Sequence, residues 1–319
     1  MTFFESISFI IHIITLIMCV IVPSCVVCIG QALIAVTALE QGTIQPSSKD
    51  ELQKCIMLGL IIIETAALMG LLMALMLISQ KNSDSMSYFQ ALAELGIACA
   101  LPITGALAGY AAIATIRNTC KSIARQPLFA QKIKTSMLIT TTLLQSPVLF
   151  GCIIALLIKS KIGFIHSLNE SIVCICTGVA IALGSIGPAY GLSQFGGALC
   201  TAIGLNRDSY QTLFSFALIA QALIEASLIF TLIVAFLILN TLHTMVNPWA
   251  VIAATITIGI GTIAPAFASG KVASRACIEI ARTPQNARTL IQASILAQAI
   301  IETGSLYALV IALFLLTSS

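Results

Sequence analysis

The chain has 319 residues and a formal net charge of +3; 59% of its residues are hydrophobic, only 8% are charged, and the mean hydropathy is +1.06. A soluble globular protein of this length needs more polar residues than these to cover its surface. The composition therefore excludes an ordinary soluble enzyme or a nucleic-acid-binding protein and predicts a protein that crosses a lipid bilayer.

Eight apolar stretches follow one another along the chain, each long enough to cross a bilayer as a helix of about 20 residues. They lie near residues 6–37, 55–79, 88–116, 135–158, 170–203, 211–240, 247–275 and 288–316. The first stretch has no Lys or Arg before it and is longer than the core of a signal peptide, so we expect it to remain as a helix. An even number of spans places both termini on one side of the membrane.

The eight stretches pair into four units of similar length. We predict an all-α membrane protein of eight transmembrane helices, built as four tandem hairpins at residues 1–82, 83–163, 164–243 and 244–319. The turns inside the hairpins, with the adjoining helix ends, hold twelve of the 15 Lys and Arg residues. Because positive residues are enriched on the cytoplasmic side, the hairpin turns are predicted to face the cytoplasm and both termini the outer side.

One polar residue recurs in the second helix of every unit, at intervals of 81, 80 and 77 residues. These residues are Glu64, Gln145, Glu225 and Glu302. In three units a turn proline precedes this residue by 18 positions, at Pro46, Pro127 and Pro284, while the third turn reads Leu205-Asn206-Arg207. Chance apolar similarity would not preserve such a relation across about 27 Å of helix, so the pattern indicates four copies of one unit.

The two helices of a unit differ in composition. First helices are richer in Gly and Ala, and second helices are richer in Leu and Ile. Since small residues allow close approach of helix backbones in a membrane, we expect the first helices to pack together in an inner layer and the second helices to face lipid.

Three of the recurring residues are carboxylates placed deep in an apolar helix. Such a group costs about 2.5–3.5 kcal/mol on insertion scales and often marks an ion pathway. In a low-dielectric setting it is favoured in its protonated or cation-bound form, and beside water and a fixed positive charge it is favoured in its charged form. The repeated depth of Glu64, Glu225 and Glu302 predicts a carrier of ions, whereas a single such residue could serve packing alone.

The residues also carry a resemblance. The turn Ala124-Arg125-Gln126-Pro127 and the second helix of the fourth unit, Ala-Ile-Ile-Glu-Thr-Gly-Ser-Leu-Tyr-Ala-Leu-Val-Ile-Ala-Leu at 299–313, resemble the c-subunits of F-type ATP synthases, here as four fused copies. The resemblance implies a non-catalytic, ion-carrying rotor protein of the bacterial cytoplasmic membrane. It also implies that Glu64, Glu225 and Glu302 are the ion-binding carboxylates.

The same resemblance implies partners. The ring is expected to contain further copies of the chain among membrane lipids, a stator a-subunit is expected to supply an arginine, and central-stalk subunits gamma and epsilon are expected to contact the turns. The turn residues assigned to that contact are Gln45, Pro46, Arg125, Gln126, Pro127, Arg282, Thr283 and Pro284. No cofactor is expected apart from the transported ion.

The second unit departs from the pattern. Gln145 stands where the acid is expected, and an uncharged amide neither exchanges a proton nor neutralises a cation, so this hairpin is predicted to be silent and the chain to carry three ions per four hairpins. Pro147 follows two residues later. Because proline removes a helix hydrogen bond, a kink is predicted there.

The coupling ion is proton or sodium, with protons slightly favoured. Sodium-binding members of the family have a Gln resembling Gln31 in the first helix, a hydroxyl directly after the Glu, and a Tyr five residues after it. The candidate co-ligands are Gln31, Thr65, Ser269, Thr303 and Tyr307. Sodium needs several hard oxygen ligands, and the positions equivalent to Gln31 are Ala112, Leu192 and Ser269, so most units lack a full set.

Other interpretations stay open. A rotor proteolipid of the vacuolar or archaeal type also occurs as fused hairpins, and a secondary transporter would place the acids along one central pathway, although such folds often use inverted repeats. A packing protein would leave the repeated Glu unexplained. No phosphate-binding glycine loop occurs, and the eleven cysteines lack the partners of a metal site. Glu94 and the histidines, including His12, are predicted to lie near the membrane surface.

Overall fold

The computed structural model describes residues 3–79, 87–243 and 247–318. Within these ranges the chain forms helices and no strand. The α-helices are α1 (Phe3–Ile44), α2 (Lys49–Ser79), α3 (Tyr88–Arg125), α4 (Ala130–Leu143), α5 (Ser146–Lys161), α6 (Leu168–Gly184), α7 (Ile186–Leu205), α8 (Tyr210–Asn240), α9 (Pro248–Gly261), α10 (Ile263–Arg282) and α11 (Ala287–Thr317).

These helices form eight spans long and apolar enough to cross a membrane, which confirms the predicted fold class of four hairpins. The first helices are longer than the apolar stretches: the third span was predicted to end near residue 116, but its helix continues to Arg125. Since polar residues such as Arg117 and Lys121 satisfy their backbone groups within a helix as well as apolar residues do, the helix ends at the turn rather than at the edge of the apolar stretch.

A short 3₁₀ helix closes the turn of each hairpin. The four lie at Pro46–Ser48, Pro127–Phe129, Arg207–Ser209 and Pro284–Asn286. In three of them proline occupies the first position, where its fixed φ suits the helix and its missing N–H is not needed. In the third, Asn206 accepts a hydrogen bond from the backbone N–H of Asp208 at 3.0 Å instead, so the turn is kept without the proline.

The predicted hairpin boundaries meet the described residues in different ways. The boundary after residue 82 lies outside them, and the boundary after residue 243 lies at their margin. The boundary after residue 163 falls within the 3₁₀ helix Ile162–Phe164, and α6 begins four residues further on at Leu168.

The first helices pack side by side in chain order: α1 on α3, α3 on α6 and α7, and these on α9 and α10. We call this row the inner layer. Glycines allow its close contacts, because a Cβ on Gly270 would collide with the backbone of Gly191, and a Cβ on Gly178 would collide with the backbone of Gly96. The second helices α2, α4–α5, α8 and α11 cover the inner layer and contact one another only in part.

Near the turns, side-chain amides and hydroxyls join consecutive first helices. Asn118, Ser122 and Gln126 on the second hairpin donate to backbone carbonyls of α7, with distances of 3.1, 2.8 and 3.1 Å. Asn206 does the same toward the carbonyl of Ala281 on α10, at 3.1 Å. Two of the acceptors, the carbonyls of Gly204 and Ala281, lie in the last turns of their helices. The four bonds together fix the relative height of neighbouring hairpins.

Three spans are interrupted at a proline. The predicted kink at Pro147 is confirmed: α4 ends at Leu143 and α5 begins at Ser146. Two interruptions that the sequence did not predict separate α6 from α7 and α9 from α10, three residues before Pro188 and Pro265. A proline has no N–H for the carbonyl four residues before it, and in each case that carbonyl belongs to the last residue of the preceding helix.

The row of hairpins has two open ends. In the most apolar part of the first helices, 67% and 72% of residues are buried in the second and third hairpins, against 28% in the first hairpin. Among the second helices the last is 22% buried, against 33%, 44% and 44% in the others. The first hairpin therefore presents one uncovered side and the fourth hairpin the other.

Candidate ion-binding sites

In the second, third and fourth hairpins the recurring polar residue faces the second helix of the hairpin before it. Glu302 contacts Ser227 on α8, Glu225 interacts with Ser146 at the start of α5, and Gln145 donates from Nε2 to the carbonyl of Ile62 on α2 at 3.4 Å. These three residues therefore lie at the junctions between hairpins and do not meet in one central pathway.

Glu302 has the most complete surroundings. The residue is 6% exposed, and its carboxyl group accepts hydrogen bonds from the Ser227 hydroxyl, at 3.0 Å to Oε1 and 2.9 Å to Oε2, and from the Ser305 hydroxyl to Oε2. Ser305 lies one turn further along α11, whereas Ser227 belongs to the third hairpin. Hydroxyl groups of two hairpins thus hold one carboxyl group deep in an apolar region.

A second polar cluster lies one turn toward the loops from Glu302. Gln298 is buried; its Nε2 donates to the Ser294 hydroxyl at 3.1 Å, and its Oε1 accepts from Ser269 at 3.3 Å. Ser269, a candidate ion ligand in the sequence, is therefore engaged with this amide. The cluster joins the first and second helices of the fourth hairpin behind the carboxyl group.

Glu225 lies at the junction of the second and third hairpins and is half-buried. Its neighbour there is the Ser146 hydroxyl. Oε1 of Glu225 and Oγ of Ser146 are both buried, and neither makes a hydrogen bond of normal geometry within the described part of the chain. An oxygen of this kind has capacity for a further donor or a cation.

Gln145 occupies the corresponding place between the first and second hairpins. The amide is half-buried, and its Oε1 is buried without a hydrogen bond among the described residues. At the helix interruption, Gln145 faces the Ile62 carbonyl of the first hairpin, while the next residue, Ser146, faces Glu225 of the third.

Glu64, in the first of the four hairpins, differs from the other two acids in its surroundings. Its side chain is exposed, and Gln31, in the first helix of the same hairpin, is half-buried. Thr65 donates its hydroxyl to the carbonyl of Ile62 at 2.7 Å. Among the described residues, the hydrogen bonds bring no group of a second hairpin to Glu64.

Two further candidates lie on the uncovered side of the fourth hairpin. Thr303 donates to the carbonyl of Ile300 at 2.7 Å, and the Tyr307 side chain is 69% exposed. Both lie within five residues of Glu302, but its hydrogen bonds come from Ser227 and Ser305 instead.

Sequence reasoning missed the serines at these junctions. Ser227, Ser305 and Ser146 are hydroxyl residues among many in the chain, and their spacing from the acids differs between hairpins. One sequence signal could have identified these serines: each lies within three positions of the recurring polar residue, in an otherwise apolar helix. Its partner depends on how neighbouring hairpins are offset, which the sequence does not state.

The turns at the loop end present different surfaces. Between the second and third turns lies an open groove of about 430 Å³, lined by residues 125–129 and 205–208. Arg125 borders it and is exposed, and Leu128, which the sequence did not single out, is fully exposed at 101%. In the fourth turn Arg282 instead pairs with Glu279 at 3.2 Å.

The other predicted turn residues vary in exposure. Pro46, Thr283 and Pro284 are exposed, whereas Gln45 and Pro127 are half-buried. Gln126 is half-buried as well, and its amide donates a hydrogen bond to the carbonyl of Gly204.

A buried polar pair lies outside these sites. His12 Nδ1 on α1 is 2.8 Å from Glu94 Oε2 on α3, and both side chains are almost fully buried between the first two hairpins. His12 is therefore not a solvated side chain, while the predicted height of both residues near the membrane surface stays a prediction. Each group is paired across the junction, which offsets the cost of burying it, and the sequence could not show this because the partners are 82 residues apart.

The sequence is similar to that of known membrane proteins. The family model for the C-subunit of ATP synthase matches residues 95–158, 175–238 and 252–315, which together exceed half of the chain. The second of the ATP synthase c-subunits of Cereibacter sphaeroides (strain ATCC 17029 / ATH 2.4.9) is 40% identical over 67 residues, covering 21% of this chain and 81% of that protein. With its repeated apolar hairpins, the chain belongs to the family of ATP synthase C-subunits.

Proposed function

We propose that this chain is an ion-carrying rotor protein in which Glu64, Glu225 and Glu302 each bind one ion while the rotor turns in the membrane. Its family consists of non-catalytic proteins that assemble into rings within ATP synthase, and eight apolar spans make the chain a multi-pass membrane protein. The observation that carries the proposal is the position of the acids: each lies at the same register of a second helix, and Glu225 and Glu302 lie beside the preceding second helix.

The surroundings of Glu302 support a loading and unloading step. Two hydroxyls donate to its carboxyl group in the apolar interior. The apolar surroundings favour the neutral, loaded form of the carboxyl group, whereas donated hydrogen bonds, water and a nearby positive charge favour release. A stator protein with an arginine facing the second helices would supply that charge.

We propose the proton as the ion. Sodium requires several hard oxygens around it, and the hydrogen-bonding oxygens at Glu302 outside its own helix come from Ser227 alone among the described residues. Ser269, the one polar counterpart of Gln31, is engaged with Gln298. Sodium stays the alternative for sites whose oxygens are unpaired, such as Glu225.

Gln145 makes the second hairpin silent in this proposal. Its amide donates a hydrogen bond to the first hairpin, and Glu302 likewise bonds to the third, but the amide carries no exchangeable charge. The chain would then move three ions per four hairpins, fewer for each turn than a ring with an acid in every hairpin.

The turns would contact the central stalk on the cytoplasmic side, with both termini on the outer side of the bacterial cytoplasmic membrane. The groove between the second and third turns supports this contact, because it combines the exposed Arg125 with the exposed Leu128. An acidic and apolar segment of a gamma or epsilon subunit would suit that surface.

Carbodiimide labelling of native membranes tests the proposal, because this reagent modifies protonated carboxyl groups. Peptide mapping is expected to find label on Glu64, Glu225 and Glu302, suppressed by high pH and unaffected by sodium at fixed pH. Suppression by sodium would replace the proton with sodium, and absence of label from all three would refute the carrier function. Glu279, which is paired with Arg275 at 2.8 Å near the turn, is the control and should not be labelled.

A further inference from the structure

Three sulfur atoms meet at the junction between the first and second hairpins. The Cys55 thiol on α2 lies 3.9 Å from the Cys120 thiol on α3 and donates to the thioether sulfur of Met137 on α4 at 3.6 Å. All three residues are 0% exposed, and we call them the sulfur cluster. The sequence could not indicate this contact, because Cys55 is 65 and 82 residues from the other two.

The positions of the sulfur cluster recur in every hairpin, but all three hold sulfur at one junction only. Cys120 has two fully buried counterparts in the same register of the first helices, Cys200 and Cys277. The counterparts of Cys55 are Ser136, Phe216 and Ala293, and those of Met137 are Ile56, Ala217 and Ser294. Packing at the other junctions is thus achieved with a single sulfur or none, so the convergence of three is a feature of the first junction.

The chemistry of the donors selects the class of ion. Thiolate and thioether sulfur favour soft ions such as Cu(I), whereas carboxylate and carbonyl oxygen favour magnesium and calcium. A structural zinc site needs four ligands, and the described ranges contain no metal-binding group of three or more His, Cys, Asp or Glu side chains. Two thiols and one thioether therefore suit Cu(I), or its chemical analogue Ag(I), and do not suit zinc.

The spacing of the sulfur atoms also suits one bound ion. Metal–sulfur bonds of about 2.3 Å place three sulfurs roughly 4 Å apart around a three-coordinate ion, and the two separations at Cys55 are 3.9 and 3.6 Å. Ile116 and Ile133 lie one turn from Cys120 and Met137 on the same helix faces, and both are 0% exposed. Water is therefore a poor competitor for the ion at this place.

A charged pair lies one helical turn from the sulfur cluster, on the side of the hairpin turns. Glu51 precedes Cys55 by four residues, Lys134 precedes Met137 by three, and the two charged side chains form an ion pair. The Glu51 side chain is 30% exposed, so an ion can approach the cluster from this end of the hairpins. In the proposed orientation this end faces the cytoplasm, where reducing conditions keep thiols reduced.

We propose that Cys55, Cys120 and Met137 form a Cu(I)-binding site that joins the first two hairpins. Binding forms two copper–thiolate bonds and one copper–thioether bond; the two thiols release their protons to solvent, and no electron is transferred. The complex carries one net negative charge, and the Lys134 ammonium is near enough to act electrostatically on Cys55. The site is separate from the proposed carrier Glu64, which lies about 14 Å further along α2.

Titration with Cu(I) tests the site on the unaltered protein, purified in detergent as its native assembly, with a chromogenic Cu(I) chelator as competitor. We expect one Cu(I) per chain, competition by Ag(I) and no binding of Zn(II). The unfolding temperature should rise with Cu(I), because an ion that binds only the folded state stabilises it. X-ray absorption at the copper edge is expected to show sulfur neighbours alone. No binding, or nitrogen and oxygen neighbours, would overturn the proposal.

Matched variants locate the bound ion. Cys55→Ala and Cys120→Ala should each abolish Cu(I) binding. Met137→Leu conserves volume and should weaken binding by at least about tenfold, the lower figure for losing even an outer partner of a metal ligand. The controls are Cys277→Ala on α10 and Met73→Leu in the far half of α2, both at fully buried residues, and they should bind as the unaltered chain does. Unchanged binding in Cys55→Ala would contradict the site.

A disulfide between Cys55 and Cys120 is the competing use of these thiols. It would bring the two sulfurs from 3.9 Å to about 2.05 Å and would leave Met137 without a role. Peptide mapping without reductant distinguishes the two: this disulfide in freshly isolated membranes, with no Cu(I) binding after reduction, would overturn the metal site. None of these measurements involves ion transport, so their failure leaves the carbodiimide test of the carrier function untouched.

Discussion

Ser227 of the third hairpin donates its hydroxyl to both carboxyl oxygens of Glu302 in the fourth, at 3.0 and 2.9 Å. An acid of one unit is thus held by a group that belongs to its neighbour. Because the hydroxyl is a donor, it favours the charged form of the carboxyl group, and in the proposed carrier it would ease release of the ion from Glu302.

Ser227→Ala removes this donor and is expected to hold the ion on Glu302 more tightly. A hydrogen bond between membrane helices contributes about 0.6 kcal/mol on average, so the pH at which half of Glu302 accepts carbodiimide should rise by roughly half a unit. Labelling of Glu225 in the same preparation is the internal reference. An unchanged midpoint at Glu302 would show that Ser305 alone determines the affinity.

Gln145→Glu should create a fourth acid site within the chain. The new carboxyl group would face the Ile62 carbonyl, where the amide now donates, so it is expected to be protonated and to accept carbodiimide. In a working complex the number of ions moved per ATP should rise by about one third, because four acids replace three. The isosteric control is Gln145→Met, which should leave the ratio of ions to ATP unchanged. An unchanged ratio with Gln145→Glu would show that the ratio is set elsewhere.

Gly270→Ala should weaken the contact between the first helices of the third and fourth hairpins, α7 and α10. A Cβ at this position meets the Gly191 backbone, and overpacking of this kind costs about 1–3 kcal/mol. We expect a lower unfolding temperature of the detergent-solubilised chain. Gly163→Ala is the matched control, since nothing lies within 4 Å of a Cβ there; equal effects of the two changes would refute the close packing.

The His12–Glu94 pair should stabilise the junction of the first and second hairpins. A double-mutant cycle of His12→Ala and Glu94→Gln is expected to give a coupling energy of about 1 kcal/mol, measured by unfolding in mixed detergent. His166→Ala, at an exposed histidine, should leave the free energy of unfolding unchanged. A coupling energy near zero would mean that the two side chains are neighbours without mutual stabilisation.

The hairpins and the depth of the acids could be predicted from sequence because both depend on local features. A polar residue inside a long apolar run is conspicuous, and its recurrence with a turn proline gives the register. The interruptions at Ser185 and Thr262 could not be predicted on the same basis, since Pro23 and Pro102 also lie in first helices and α1 and α3 continue through them.

Hydrogen-bond partners in neighbouring hairpins could not be predicted from the sequence for another reason. Ser227 and Glu302 are 75 residues apart, and Gln145 and Ile62 are 83 apart. To predict these pairs one must know the relative height of neighbouring helices. That height is determined by close glycine contacts and by the side-chain hydrogen bonds near the turns. Ser269, in the register of Gln31, bonds Gln298 because its own hairpin brings that amide nearer.

Covalent linkage of the four hairpins has a practical consequence for genetic dissection. Where a ring is built from identical single hairpins, one codon change alters every site at once. Here Glu225 always has Ser146 as its neighbour and Glu302 always has Ser227, so one codon change alters one kind of site and leaves the rest of the ring as its reference. The tandem gene thereby permits position-by-position comparison inside a single assembled ring.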